Sequence, residues 1–124
     1  MYPNGELTGR IIEVAIEVHR NLGPGLIESV YETCMSYEFT ERNMFFERQK
    51  EIKLVYKEIT LESCCRLDLL VEKKVIVELK SVDMLHPIHE AQILTYLKLT
   101  GISTGLLINF NCRLLKDGIR RFVL

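Results

Sequence analysis

Arg66-Leu67-Asp68-Leu69-Leu70-Val71-Glu72-Lys73-Lys74-Val75-Ile76-Val77-Glu78-Leu79-Lys80 reads as two apolar strands joined by a charged turn. With Glu72-Lys73-Lys74 as the loop, Val71 faces Val75. Counting outward then sets Leu70 against Ile76, Leu69 against Val77 and Asp68 against Glu78. Side chains two apart on a strand point the same way, so Lys80 shares a face with both carboxylates. A change of one residue in loop length would move Asp68 to the other face and dissolve the arrangement.

Two like charges opposed on an antiparallel pair, with Cβ atoms about 4.5–5.5 Å apart, destabilise a sheet unless something offsets them. A divalent cation does so, and Mg²⁺ takes carboxylate oxygens while keeping several waters. Asp68 and Glu78 as ligands, with Lys80 holding a water or a phosphoryl oxygen, suit metal-assisted phosphodiester hydrolysis. Arg66 falls opposite Lys80 and is a candidate contact for a substrate phosphate, or else the partner of a neighbouring acid. Glu-x-Lys alone says little, since it also occurs at 51–53 and 72–74. Only the triplet at 78–80 interrupts an apolar strand and has an aspartate at the mirrored position.

Working outward, Ile11, Ile12, Ala15, Val18 and Leu22 recur at helical spacing and predict a helix over 7–22, stopped by Gly23-Pro24-Gly25. A second helix is expected over 26–42, with Ile27, Val30, Tyr31, Cys34, Met35 and Phe39 as its apolar stripe. Short β-branched and aromatic stretches at 44–46, 52–56, 59–61, 67–71 and 75–79 predict a meander of antiparallel strands. Helical periodicity returns between His86-Pro87 and Gly101, through Ile88, Ala91, Ile93, Leu94, Leu97 and Leu99. The nearly continuous apolar run 104–110 predicts a strand covered on both faces, and 119–124 a last edge strand. The order α-α-β-β-β-α-β-β describes an α/β (α+β) fold: one mixed sheet of about five strands flanked by helices.

At 124 residues, 48% apolar and 27% charged, the chain suits a single domain over 1–124 and excludes disordered and fibrous classes. Net charge is −1, so no global field draws nucleic acid, and any such binding needs a local patch. One candidate is 98–124, where Lys98, Arg113, Lys116, Arg120 and Arg121 stand against Asp117 alone. No apolar run approaches the roughly 18 residues of a membrane helix, which argues against a membrane partner. Residues 1–6 do not read as a secretory signal, and a cytoplasmic protein is expected. Cys34, Cys64, Cys65 and Cys112 lack metal-ligand spacing and are expected to be reduced, mostly buried thiols. The edge strand at the C-terminus suggests a homodimer, which would place two sites on a duplex.

Gly25-Leu26-Ile27-Glu28-Ser29-Val30-Tyr31, preceded by Leu22-Gly23-Pro24, resembles the signature of the GxxExxY family, a branch of the PD-(D/E)XK nuclease superfamily. The similarity continues through the Asp68 and Glu78-Leu79-Lys80 strands, Ile88-His89-Glu90-Ala91-Gln92 with Tyr96-Leu97, and Gly105-Leu106-Leu107-Ile108-Asn109-Phe110. The resemblance implies a restriction-endonuclease-like α-β-β-β-α-β core in which Asp68 and Glu78 bind Mg²⁺ or Mn²⁺, Lys80 assists catalysis and Glu28 joins the metal site. It implies DNA or RNA as partner, with Gln92 and Tyr96 matching a Gln-x-x-x-Tyr pattern of some branches. Glu28 and Tyr31 lie on one face near a helix start, where an acid also suits the helix dipole, and Tyr31, Gln92 and Tyr96 are candidate substrate contacts. Leu67 stands where the superfamily name carries proline. His19, His86 and His89 pair with no nucleophile, and His89, three residues before Gln92, is the one nearest the expected site. The rival expectation is a catalytically silent nuclease-fold module acting in nucleic-acid binding or protein assembly.

Overall fold

The computed structural model describes residues 3–124; Met1 and Tyr2, part of the N-terminal stretch read above, lie outside the described residues. Helix α1 (Gly5–Leu22) starts two residues earlier than expected and buries Ile11, Val14, Ala15 and Val18 at helical spacing. It stops at Gly23, whose φ of 73° lies in the left-handed region. Helix α2 (Glu28–Glu41) buries Tyr31, Met35 and Phe39. Ile27, expected in its apolar stripe, instead precedes the helix in extended conformation and is exposed.

The five short stretches predicted over 44–79 form three strands: β1 (Phe46–Tyr56), β2 (Ile59–Val71) and β3 (Val75–Lys80). The charged residues at 47–51 and 62–66 read as breaks in the sequence. They remain in strand because β1 is the edge of the sheet and, beyond the Leu69–Val77 pair, the β1–β2 ribbon runs on without β3, so solvent reaches the side chains. Helix α3 (Pro87–Thr100) follows, then β4 (Thr104–Asn109), a 3₁₀ turn (Leu115–Gly118) and β5 (Ile119–Val123). The sheet order is β1-β2-β3-β4-β5, antiparallel except for the β3–β4 pair. This is the expected α+β, restriction-endonuclease-like arrangement: a mixed five-stranded sheet with α1 and α2 on one face and α3 on the other.

Every residue of β4 is buried, as its uninterrupted apolarity predicts. The core on the α1/α2 face gathers Ile11, Val14, Tyr31, Met35, Phe39, Leu69, Val77, Leu106 and Phe110. The smaller core on the α3 face gathers Ile52, Leu67, Leu70, Ile76, Ile93, Tyr96 and Leu97. Each such side chain, moved from water, contributes roughly 1.5–3 kcal/mol. Helix α3 lies so close to β4 that a Cβ on Gly105 would stand 2.9 Å from Ile93 Cδ1. Its predicted apolar stripe is only partly used, because Ile88, Ala91 and Leu94 are exposed while Ile93, Tyr96 and Leu97 face the sheet. The four cysteines are free, as expected, but none is fully buried and Cys64 is exposed.

Candidate active site at the opening of a hairpin

The β2–β3 hairpin forms in the predicted register, Val71 with Val75, Leu70 with Ile76 and Leu69 with Val77. Glu72 and Lys73 take φ of 52° and 57°, the left-handed pair a tight hairpin turn requires. The turn contains no glycine and is tied to Phe45 by two bonds: Glu72 N donates to Phe45 O (2.8 Å), and Phe45 N donates to the Glu72 side chain at Oε2 (3.0 Å).

Beyond Leu69 and Val77 the ladder is not continued, so Asp68 and Glu78 do not form the backbone pair that extrapolation expects. Their side chains take over. Asp68 N donates to Glu78 Oε2 (2.8 Å) and Leu79 N donates to Asp68 Oδ2 (2.8 Å). Each carboxylate thus satisfies an amide on the opposite strand through one oxygen and retains its second oxygen for another partner.

Glu78 is 4% exposed. Burial first, and then the neighbouring charge of Asp68, push its carboxyl up to about 8. Burial likewise raises Asp68, opposed by the bond from Leu79 N. Lys80 favours the ionised form of both. A pair of adjacent carboxylates, one buried and one partly buried, each raised by burial, is a donor set that a divalent cation completes, since the cation supplies the opposite charge. Asp68 and Glu78 therefore fit the expected ion as a two-carboxylate set, with water filling the other positions. Among the described residues no three His, Cys, Asp or Glu side chains gather as a ready-made ligand cluster. Glu28 is exposed at the start of α2, on the rim of a cleft of ≈ 360 Å³ that it lines with Ser29, Glu32, Gln49, Asp68 and Leu79, and its charge raises both carboxyls further.

The segment before Glu28 is pinned from two sides. Tyr31, expected at the substrate, is fully buried: its hydroxyl donates to Gly23 O (2.6 Å) and accepts from Leu26 N (3.2 Å), and its ring stacks on Phe110 at 4.3 Å. Ser81 Oγ, next to Lys80, donates to Leu26 O (2.6 Å). Lys80 itself is anchored at both ends of its backbone, paired in register with Asn109 and accepting from Phe110 N (2.9 Å). Asn109 adds a second clamp, its amide bonded to Val82 O and Val82 N.

The other predicted contacts are distributed around this centre. Tyr96 lies in the α3 core, its hydroxyl pushed up to about 12 by burial and then by Glu78. Gln92 sits one turn earlier on α3, half-buried. Arg66 is in register with Glu51 of β1, not with Lys80, and forms an ion pair with it at 3.3 Å. His89 caps α3, accepting from His86 N through Nδ1 (3.0 Å), and burial followed by the charge of Lys80 lowers its basicity. In the basic C-terminal stretch, Arg121 donates to Thr8 Oγ1 (3.0 Å).

The structure adds residues that the sequence reading missed. Glu32 is buried at 7% exposure, one turn after Glu28. It is held by Arg48 Nε (3.2 Å to Oε2) and Gln49 Nε2 (2.7 Å to Oε1). The four-residue spacing of Glu28 and Glu32 was the available signal for the first. Gln49 offered none: it is a polar residue inside a strand whose φ is +48°. For a non-glycine residue that conformation costs of order 1–3 kcal/mol.

Residues 5–122 match the family model of the PD-(D/E)XK nuclease superfamily. No curated protein and no solved structure matches the chain. The family model spans almost the whole sequence, from α1 through β5 with the carboxylate pair between. The chain therefore belongs to the PD-(D/E)XK nuclease superfamily.

Proposed function

We propose that this nuclease-like protein hydrolyses phosphodiester bonds of DNA or RNA by water attack, using Mg²⁺ or Mn²⁺ held by Asp68 and Glu78. Nucleases of the superfamily generally use divalent metal ions. The observation that carries the reading is the pair itself: two carboxylates, each tied by one oxygen to a backbone amide and each raised by burial, with Asp68 raising Glu78 further, beside Lys80. A bound ion supplies a Lewis acid and a water of lowered pKa.

The chain's own groups do the rest. Asp68 and Glu78 arrive pre-oriented, because the backbone bonds that hold them exist before any ligand enters. Glu28 joins them from the cleft rim through water or a side-chain rotation, with Tyr31 and Ser81 setting the position of its loop. Lys80 donates to the attacking water or to a phosphoryl oxygen, where its charge opposes the negative charge that develops in the transition state. Arg66, Gln92 and Tyr96 flank the strand opening as substrate contacts. Within the superfamily the Gly25–Glu28–Tyr31 spacing supports a place in the GxxExxY branch. The four free thiols suit a reducing compartment such as the cytoplasm, and residues 1–124 are read as one domain. Among the described residues no helix is long and apolar enough to cross a membrane.

A second reading, a catalytically silent module for nucleic-acid binding or assembly, is favoured by the far end of the β1–β2 ribbon. There Val55, Tyr56 and Ile59 are more than half exposed. Calorimetric titration of Mn²⁺ into the wild type and Asp68→Asn, with cleavage of labelled single- and double-stranded DNA and RNA on the same samples, separates the two. Metal binding and cleavage that both vanish in the variant support the nuclease. A wild type that binds no Mn²⁺, even with nucleic acid present, overturns it in favour of the assembly reading.

A further inference from the structure

Successive side chains on a regular strand point to opposite faces. Arg48 and Gln49 are consecutive on β1, yet both reach Glu32 on α2. The left-handed backbone of Gln49 makes this geometry available and reverses the alternation of faces along β1, while the pairing register with β2 is the same on either side of it. Phe46 packs on the α1/α2 core, whereas Ile52, six residues on and due for the same face, packs on the α3 core. On β2 the same reversal falls between Leu67, in the α3 core, and Leu69, in the α1/α2 core. The residue between them is Asp68, which lies across from Gln49 in the β1–β2 register, flanked by the pairs Arg48–Leu69 and Lys50–Leu67. The two irregularities thus coincide at one pair of residues.

We infer that Gln49 is the positioning residue for Asp68, its carboxamide locked by Glu32 and its amide turned to the Asp68 oxygen that the backbone leaves unused. This inference rests on the metal-site reading of Asp68 and Glu78. Nε2 carries two protons: one is committed to Glu32 Oε1 at 2.7 Å, and the second approaches Asp68 Oδ1 at 3.5 Å. Oδ2 of the same carboxylate is held by Leu79 N, so Asp68 faces a donor from each neighbouring strand, a short bond from β3 and a longer contact from β1. Glu32 acts at one remove. Arg48 donates to its other oxygen and also to Thr33 Oγ1 (3.1 Å), which fixes Glu32 and through it the carboxamide. The strained residue therefore sits where its side chain meets the proposed ligand, and a regular strand would aim it at the other face.

Gln49→Gly keeps the left-handed backbone, which glycine adopts freely, and deletes only the side chain. The variant is expected to unfold near the wild-type temperature, the relieved backbone strain offsetting the lost bond to Glu32, while its Mn²⁺ dissociation constant, read by calorimetry, rises about 10–100-fold, the usual effect of losing a group that orients a metal ligand. Gln49→Glu separates positioning from direct ligation: a carboxylate there repels Glu32 and Asp68 and weakens Mn²⁺ binding, whereas tighter binding would overturn the inference by making residue 49 a ligand. Mn²⁺ affinity of Gln49→Gly within twofold of wild type overturns it as well. A third readout needs no metal. ¹⁵N relaxation of the Gln49 side-chain amide is expected to show a rigid group in the wild type and a mobile one in Glu32→Ala. Should the wild type bind no Mn²⁺, a rigid amide leaves the positioning of Asp68 standing and removes the metal-site reading alone, and a mobile one removes both.

Discussion

The two edges of β3 obey different rules. Along one edge all six residues pair with β4, from Val75 with Thr104 to Lys80 with Asn109. Along the other only Val75, Ile76 and Val77 pair with β2. The full edge holds Glu78 and Lys80 at fixed backbone positions. The open edge frees the amides of Asp68 and Leu79, which two carboxylates then satisfy. Rigidity on one side and an unfinished ladder on the other let a sheet carry charge near its core. The apolar edge stabilises the fold, and the open edge is where chemistry is available.

The open edge is most sensitive at Asp68. Asp68→Asn keeps an acceptor for Leu79 N but removes the charge, and metal-dependent cleavage is expected to fall by about a thousandfold or more, some 4 kcal/mol of transition-state stabilisation. Single-turnover assays at saturating Mn²⁺ check this. Asp68→Ala adds a stability loss of about 1–3 kcal/mol, because the amide loses its acceptor.

On the closed edge the effect reverses in kind. Ile76→Ala empties a fully buried position and is expected to cost about 2–5 kcal/mol in urea unfolding. Mn²⁺ affinity per folded molecule should stay near the wild-type value, since Ile76 faces the α3 core and not the strand opening.

The pH dependence of stability sharpens the contrast. Folded Glu78 keeps its proton up to about pH 8, whereas the unfolded carboxyl releases it near 4.5. Between those values the folded state binds the extra proton, so metal-free stability falls as pH rises through the window and levels off above about 8. Thermal unfolding from pH 4.5 to 8.5 is expected to show this decline, amounting to a few kcal/mol, and Glu78→Gln is expected to flatten it. Saturating Mn²⁺ should flatten the wild-type curve too, because it stabilises the ionised pair.

The smallest effect is expected at Tyr31. Tyr31→Phe retains the stack on Phe110 but loses the bonds to Gly23 and Leu26, for about 1–2 kcal/mol in unfolding. Cleavage should decline several-fold with little change in Mn²⁺ affinity if the hydroxyl serves only to hold the Glu28 loop.

Much of this arrangement was legible from local pattern. The Val71–Val75 register follows from loop length and the alternation of apolar residues, and the burial of β4 follows from its lack of polar interruptions. Other features were illegible for identifiable reasons. Charges at Glu47, Lys50 and Glu51 look like the end of a strand when the sheet edge is unknown, and Tyr31 looks like a ligand contact until its hydroxyl is seen closing a loop. Ile27 and Ile88 carry the right chemistry for a core, but each lies at a helix start where no neighbour covers it.

The order of elements, the hairpin turn and the nearness of Asp68, Glu78 and Lys80 follow from the chain alone, because they depend on spacings of a few residues. Long-range packing sets the rest: the ladder stops at Leu69 and Val77, Asp68 and Glu78 cross-bond to backbone amides, and Glu32, Arg48 and Gln49 converge behind them. The reason is physical. A left-handed residue such as Gln49, or a buried charge such as Glu32, is unfavourable on its own and is held in place only by partners brought from 16 or more residues away.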